Sequence, residues 1–184
     1  IIDKNWHPSV TGLAIWADNG SIQVGYRDDS GISYLISNSS INLNEWNNVA
    51  FTWSELEGKK LYINGELHAI DLDASSIVDN SNLISVGYAQ GRNYPLEGKL
   101  SSFKLYDISL NAVEIQQNLN FLSNAIPEII DYPLSELSGV NILDYSGYGN
   151  HTIVSGDFSW SSDYPCYCVN GVCESTIELG DINQ

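Results

Sequence analysis

The stretch Lys60-Leu61-Tyr62-Ile63-Asn64-Gly65-Glu66-Leu67 decides the fold. Leu61 and Ile63 alternate with Lys60 and Tyr62 at the two-residue period of a strand, and Asn64-Gly65 supplies the positive-φ pair that a tight type I′ turn requires. The segment therefore predicts a β-hairpin. Just upstream, Glu45-Trp46-Asn47-Asn48-Val49-Ala50-Phe51-Thr52-Trp53 is a β-branched and aromatic run long enough to cross a sheet. Downstream, Leu83-Ile84-Ser85-Val86-Gly87-Tyr88 and Gly98-Lys99-Leu100-Ser101-Ser102-Phe103-Lys104-Leu105-Tyr106 each have an apolar and a polar face. Runs of this kind at this spacing predict antiparallel sheets packed face to face.

Further out, residues 12–17 and 21–27 read as two strands around an Asp18-Asn19-Gly20 turn, and residues 32–36 continue them. Asn111 with Glu114 three positions later forms a capping-box pattern, and Ile115, Leu119 and Leu122 recur on one face, which predicts a short helix. Trp16, Trp46 and Trp53 are expected in the core.

The order of these motifs, from the Glu45 to Trp53 run through the Tyr62-Ile63-Asn64-Gly65 hairpin to the helix, resembles the laminin-G-like, concanavalin A-like jelly roll over about residues 5–122. The resemblance implies an all-β, two-sheet antiparallel jelly-roll sandwich with one short helix. A later segment, Asp144-Tyr145-Ser146-Gly147-Tyr148-Gly149-Asn150-His151, resembles the turn after the opening strand of the same family. The expected organisation is a sandwich over 1–128, a strand segment over 129–160, and a cysteine-containing tail over 161–184 similar to an epidermal-growth-factor-like fragment. Residues 129–160 then either begin a following domain or return to pack on the first, in the same or a neighbouring copy. Packing on a neighbour would build a fibre or homo-oligomer.

Composition bounds the function. A chain of 184 residues can bury a full core, and no apolar run approaches the ~20 residues of a membrane span, so membrane insertion is not expected. The chain lacks an initiator Met and a signal-like start, which suggests a processed or excised piece of a longer protein. With 23 acidic against 7 basic residues the net charge is -16, which repels phosphate backbones and makes nucleic acid a poor partner. All Lys and Arg lie before residue 105. Cys166, Cys168 and Cys173 form an odd cluster, which suits one local disulfide plus an outside partner, or a reactive thiol. Asn38-Ser39-Ser40 and Asn150-His151-Thr152 are N-glycosylation acceptors, and with the cysteines they favour a secreted or cell-surface setting.

The chemistry of catalysis is not legible. Paired cleft carboxylates of the Glu-x-Asp-x-Glu kind do not occur, nor does a Gly-x-Ser-x-Gly nucleophile turn, and His7, His68 and His151 are scattered. The resemblance implies calcium as a cofactor, held at a rim by oxygen ligands. Its candidates are Asp144, Gly147, Asn150 and Asp107, with Asp71, Asp73 and Asp79 as a second set that equally suits turn-forming aspartates. A glycan or protein ligand would suit a rim of Tyr88, Arg92, Asn93 and Tyr94, or a set of Tyr26, Arg27 and Asp28. The expected function is a non-catalytic extracellular adhesion or assembly module of a larger surface, matrix or fibrous protein. The alternative is a carbohydrate-recognition module attached to a polysaccharide-active enzyme.

Overall fold

The structure is a computed structural model that describes residues 2–4, 12–28, 31–78, 83–89, 94–119, 126–163, 167–169 and 172–174. Positions 89, 94, 95, 167–169 and 172–174 are described by backbone alone. The chain forms two compact units, Ile1–Lys99 with Ser109–Ile115, and Leu100–Ile108 with Gln116–Gln184.

Among the described residues the first unit contains ten strands: β1 (Ile2–Asp3), β2 (Leu13–Asp18), β3 (Ser21–Asp28), β4 (Gly31–Ile36), β5 (Val49–Ser54), β6 (Gly58–Ile63), β7 (Glu66–Asp71), β8 (Ser85–Val86), β9 (Tyr88–Ala89) and β10 (Tyr94–Pro95). One sheet runs β4-β3-β2-β1-β8 and a second runs β5-β6-β7, both antiparallel, with β9 and β10 as a separate pair. Both predicted hairpins form. Asn19 and Gly20 have φ of 48° and 82°, and Asn64 and Gly65 have 51° and 79°, the left-handed values at both central positions that a type I′ turn demands.

Strand parity then fixes the core. Ile22, Val24 and Tyr26 alternate inward from β3, Ile15 from β2 and Leu35 from β4, and they meet Leu61 and Ile63 of β6. Ile2, Leu13, Val49, Phe51 and Ala69 pack around them. Burying a side chain such as Leu61 stabilises the sandwich by about 1.5–3 kcal/mol.

Parity also corrects the expected core. Trp16, Trp46 and Trp53 are only half-buried. Ile15 takes the inward position on β2, so Trp16 lies on the opposite face, where its ring meets Tyr34 edge-on at 6.3 Å. The strand expected over 83–88 is two short strands, because Gly87 between them adopts φ 85° and interrupts the extended backbone.

The second unit holds β11 (Phe103–Leu105), β12 (Ile130–Tyr132), β13 (Asn141–Ile142), β14 (Thr152–Ile153), β15 (Tyr167–Val169) and β16 (Val172–Glu174), in antiparallel pairs. The run expected over 98–106 is extended only in β11. β11 pairs with β12, so residues 130–132 lie beside a strand from within the first 128 residues. Phe103 and Tyr132 are register partners, with ring centroids 6.1 Å apart.

The helix α1 (Ala112–Leu119) starts as its capping box predicts. The Asn111 side chain accepts from the N–H groups of Val113 and Glu114 at 2.9 and 3.1 Å, and Glu114 accepts from the Asn111 N–H at 2.7 Å. Leu122 lies outside the described residues. Among the described residues no helix is long and apolar enough to cross a membrane.

Candidate functional site

In the second unit, β13 and β14 form a hairpin whose connection, residues 143–151, is the segment singled out by its Asp-Tyr-Ser-Gly-Tyr-Gly-Asn-His sequence. Asp144 is buried and organises that connection. Its Oδ1 accepts from the backbone N–H groups of Asp131 and Ser146, each at 3.0 Å. Its Oδ2 accepts from the Ser146 hydroxyl and the Asn150 N–H, each at 2.8 Å. Burial acts to raise this carboxyl, but the backbone donors at Asp131, Ser146 and Asn150 outweigh it and hold the group well below the usual carboxylate range.

The neighbours complete a clamp on β12. The Asn150 amide donates to the Ile129 carbonyl at 2.8 Å, with the Ser146 hydroxyl oxygen 3.3 Å from the same carbonyl, and the Tyr145 N–H donates to the Asp131 carbonyl at 2.9 Å. The Tyr132 hydroxyl donates to the Asn150 carbonyl. The Asp144 N–H donates to His151 Nδ1 at 3.0 Å, which makes Nδ1 the unprotonated ring nitrogen.

Asp144 therefore directs its oxygens at N–H and O–H donors, and Asp107 is exposed and joins none of these bonds. As an oxygen cage for calcium this set does not fit, since the ion needs free oxygens converging on one point. Among the described residues no group of three or more His, Cys, Asp or Glu side chains could hold a metal ion.

While its acid is buried, this hairpin leaves its greasy side chains in solvent. Tyr145, Tyr148 and Ile153 are 62%, 63% and 64% exposed, and Leu143, Val140 and Phe158 are also exposed. An open depression of about 530 Å³ is lined by Asn141, Ile142, Leu143, His151, Thr152 and Ile153. Several exposed large apolar side chains on one short segment are the kind of feature that marks an interaction surface. On β11, Lys104 pairs with Glu128 at 2.8 Å and Asp131 at 3.8 Å. Burial is the largest influence on Glu128 and acts to raise it, but the bond from Lys104, a backbone hydrogen bond, the Lys104 charge and the Tyr106 hydroxyl together outweigh it and lower the carboxyl; burial raises Asp131, which Lys104 only partly offsets.

The first unit contains a polar network that the sequence reading overlooked. Lys59 Nζ lies 3.3 Å from Asp28 Oδ2, with both side chains fully shielded from solvent. The same ammonium donates to the Asp73 carbonyl at 2.8 Å and sits 5.0 Å from the Tyr26 ring centroid. The Tyr26 hydroxyl donates to Asp71 Oδ2 at 2.5 Å. Burial, then the bond to Asp71, raises the Tyr26 phenol far above its ordinary value. The signal was present: Lys59 shares parity with Leu61 and Ile63, and Asp28 with Val24 and Tyr26, so both charges had to face inward. Tyr26 and Asp28 are thus interior groups and cannot form the sugar platform expected of them.

The remaining expected sites are dispersed. Asp71 and Asp73 act as turn-capping acceptors, for the Asp73 N–H at 2.9 Å and for the Ser75 N–H and hydroxyl at 2.8 and 2.6 Å, while Asp79 lies outside the described residues. Tyr88 is exposed on β9, Tyr94 lies opposite Ala89 on β10, and Arg92 and Asn93 lie outside the described residues. Asn38 is exposed, as is Asn150 apart from its amide contact to Ile129. Cys168 is the register partner of Cys173, and Cys166 lies outside the described residues.

A family model described as the concanavalin A-like lectin/glucanases superfamily matches residues 4–116, more than half of the chain. The chain belongs to that superfamily. Among solved structures, this concanavalin A-like chain is similar to a segment of an S-layer domain-containing protein from Clostridium thermocellum, at 22% identity and a TM-score of 0.32. The likeness covers 59% of this chain and 56% of that one. No curated protein matches the sequence. The matched residues take in both sheets of the concanavalin A-like sandwich apart from β1, whereas the hairpin with the exposed tyrosines lies beyond them.

Proposed function

We propose that this concanavalin A-like chain is a non-catalytic adhesion or assembly module of a larger extracellular protein, and that it works through the exposed face of the β13–β14 hairpin. The carrying observation is the exposure of Leu143, Tyr145, Tyr148 and Ile153 on one short hairpin whose backbone is fixed from beneath by Asp144. A rigid hairpin with wet aromatic side chains has little ordering entropy left to lose, which suits it to binding a partner.

Binding is favoured over hydrolysis because Asp28, Asp71, Asp73 and Asp144 each bond to an internal partner rather than facing a cleft. The extracellular setting draws on the sequons at Asn38 and Asn150 and on the Cys168–Cys173 register, which a local disulfide would suit. The test is sedimentation velocity over a range of concentrations at raised salt, where the -16 charge is screened. Self-association lost in Tyr145→Ser/Tyr148→Ser supports assembly.

A second reading, carbohydrate recognition, is favoured by the exposed Tyr88 beside the strand that carries Tyr94. Selective signals on a glycan array, abolished by Tyr88→Ala, would establish it in place of assembly.

A further inference from the structure

The buried contact between Lys59 and Asp28 has the makings of a covalent cross-link. Asp28 ends β3 in one sheet and Lys59 is the second residue of β6 in the other, and each stands at the end of an otherwise apolar inward-facing stripe. The amine and the carboxylate are 3.3 Å apart, and both side chains have no solvent exposure. The Tyr26 ring lies beneath the amine, and the Phe51 ring follows at 6.3 Å from Tyr26. A donor bond to the Asp73 carbonyl fixes the direction of the amine. Asp71 lies opposite Lys59 in the β6–β7 register and bonds to the Tyr26 hydroxyl, which places a second acid beside the pair.

From this juxtaposition we propose that Lys59 and Asp28 condense into an intramolecular isopeptide bond that joins the two sheets. The bond goes beyond the adhesion reading and does not depend on it.

The step balances without any co-reactant. The reaction begins with transfer of one proton from the Lys59 ammonium to the Asp28 carboxylate across their 3.3 Å contact, which gives an amine and a carboxylic acid. The amine lone pair attacks Asp28 Cγ, a C–N bond forms, and the C–OH bond breaks. The departing hydroxyl takes a proton from the attacking nitrogen and leaves as water, with Asp71 carrying that proton through the Tyr26 hydroxyl. The sum is one ammonium and one carboxylate converted to one amide and one water. Holding both groups in place supplies the proximity that free amines and acids in water lack, and the product leaves no charge in the interior, where an ion pair is at best weakly favourable.

The test is the intact mass of the unglycosylated full chain, measured under denaturing conditions after folding. The expected mass is lower than that of the sequence by one water, with trypsin failing to cut after Lys59 and the Asp28 peptide recovered joined to the Lys59 peptide. Lys59→Met and Asp28→Ala should restore the full mass. Asp71→Asn should slow the loss of water at least tenfold in a refolding time course. Wild-type chain kept in urea from synthesis onward should retain the full mass, which keeps the test decisive if the variants fail to fold. Full mass in aged, folded wild-type protein would overturn the proposal, as would a one-water loss that persists in Lys59→Met.

Discussion

At the scale of single residues, position in a two-residue alternation decides fate more than chemical type. Leu61 is buried while Leu56, in the turn before Gly58, is almost wholly exposed. Leu61→Ala should cost about 2–5 kcal/mol, and Leu56→Ala should stay within about 0.5 kcal/mol, both measured by urea unfolding. Asp144 makes the same point for charge. Its carboxyl ionises at lower pH in the folded chain than in the unfolded one, so the stability it contributes is present above the ordinary carboxylate range, about 3.9, and is lost as pH falls below that toward the folded value. The urea midpoint should drop between roughly pH 5 and pH 2 in the wild type, and this slope should be shallower in Asp144→Asn. The sequence showed that Asp144 matters, through its place among Ser146, Gly147 and Asn150. Which way its oxygens point was not legible, because a calcium ligand and a turn organiser use the same residue, and only the positions of the N–H groups of Asp131, Ser146 and Asn150 separate them.

At the scale of elements, local signals were legible where the backbone itself demanded a residue type. The Asn64-Gly65 turn and the Asn111–Glu114 capping box form as read, since each is specified within a few residues. Asn111→Ala should cost about 1 kcal/mol. The strand expected over 83–88 is cut by Gly87 at φ 85°, and the one expected over 98–106 is shorter because its partner, β12, lies far along the chain and no local pattern records how long such a partner is. Gly58 shows a constraint of the same long-range kind. A Cβ built there would lie 2.1 Å from the Asp71 carbonyl oxygen, at a φ of 73°, because the end of β7 passes directly against the start of β6. Gly58→Ala should therefore lose well over the ~1–2 kcal/mol of a left-handed L residue, and thermal melting should show the drop alongside disruption of the Lys59 and Asp71 register.

At the scale of the molecule, superfamily membership follows from residues 4–116, and the two-sheet core explains why the sequence made that legible: alternating inward residues of β2, β3, β4 and β6 leave a mark that distance does not blur. What the chain offers to partners was harder to read, because exposure is a property of the assembled surface. Tyr145 and Tyr148 stood inside a motif interpreted for its acid and glycines, and nothing in their spacing announced that they would be wet. Calcium provides a check on the reading of that hairpin: with Asp144 committed to four donors, adding calcium to chelator-treated protein should leave the melting temperature unchanged, and a rise of several degrees would mean that the hairpin oxygens turn to the ion. The most direct measurement of the central claim is sedimentation velocity of the full chain at raised salt. We predict concentration-dependent association in the wild type and a single monomeric boundary in Tyr145→Ser/Tyr148→Ser, whereas a wild type that sediments as a monomer at every concentration would contradict assembly through this face.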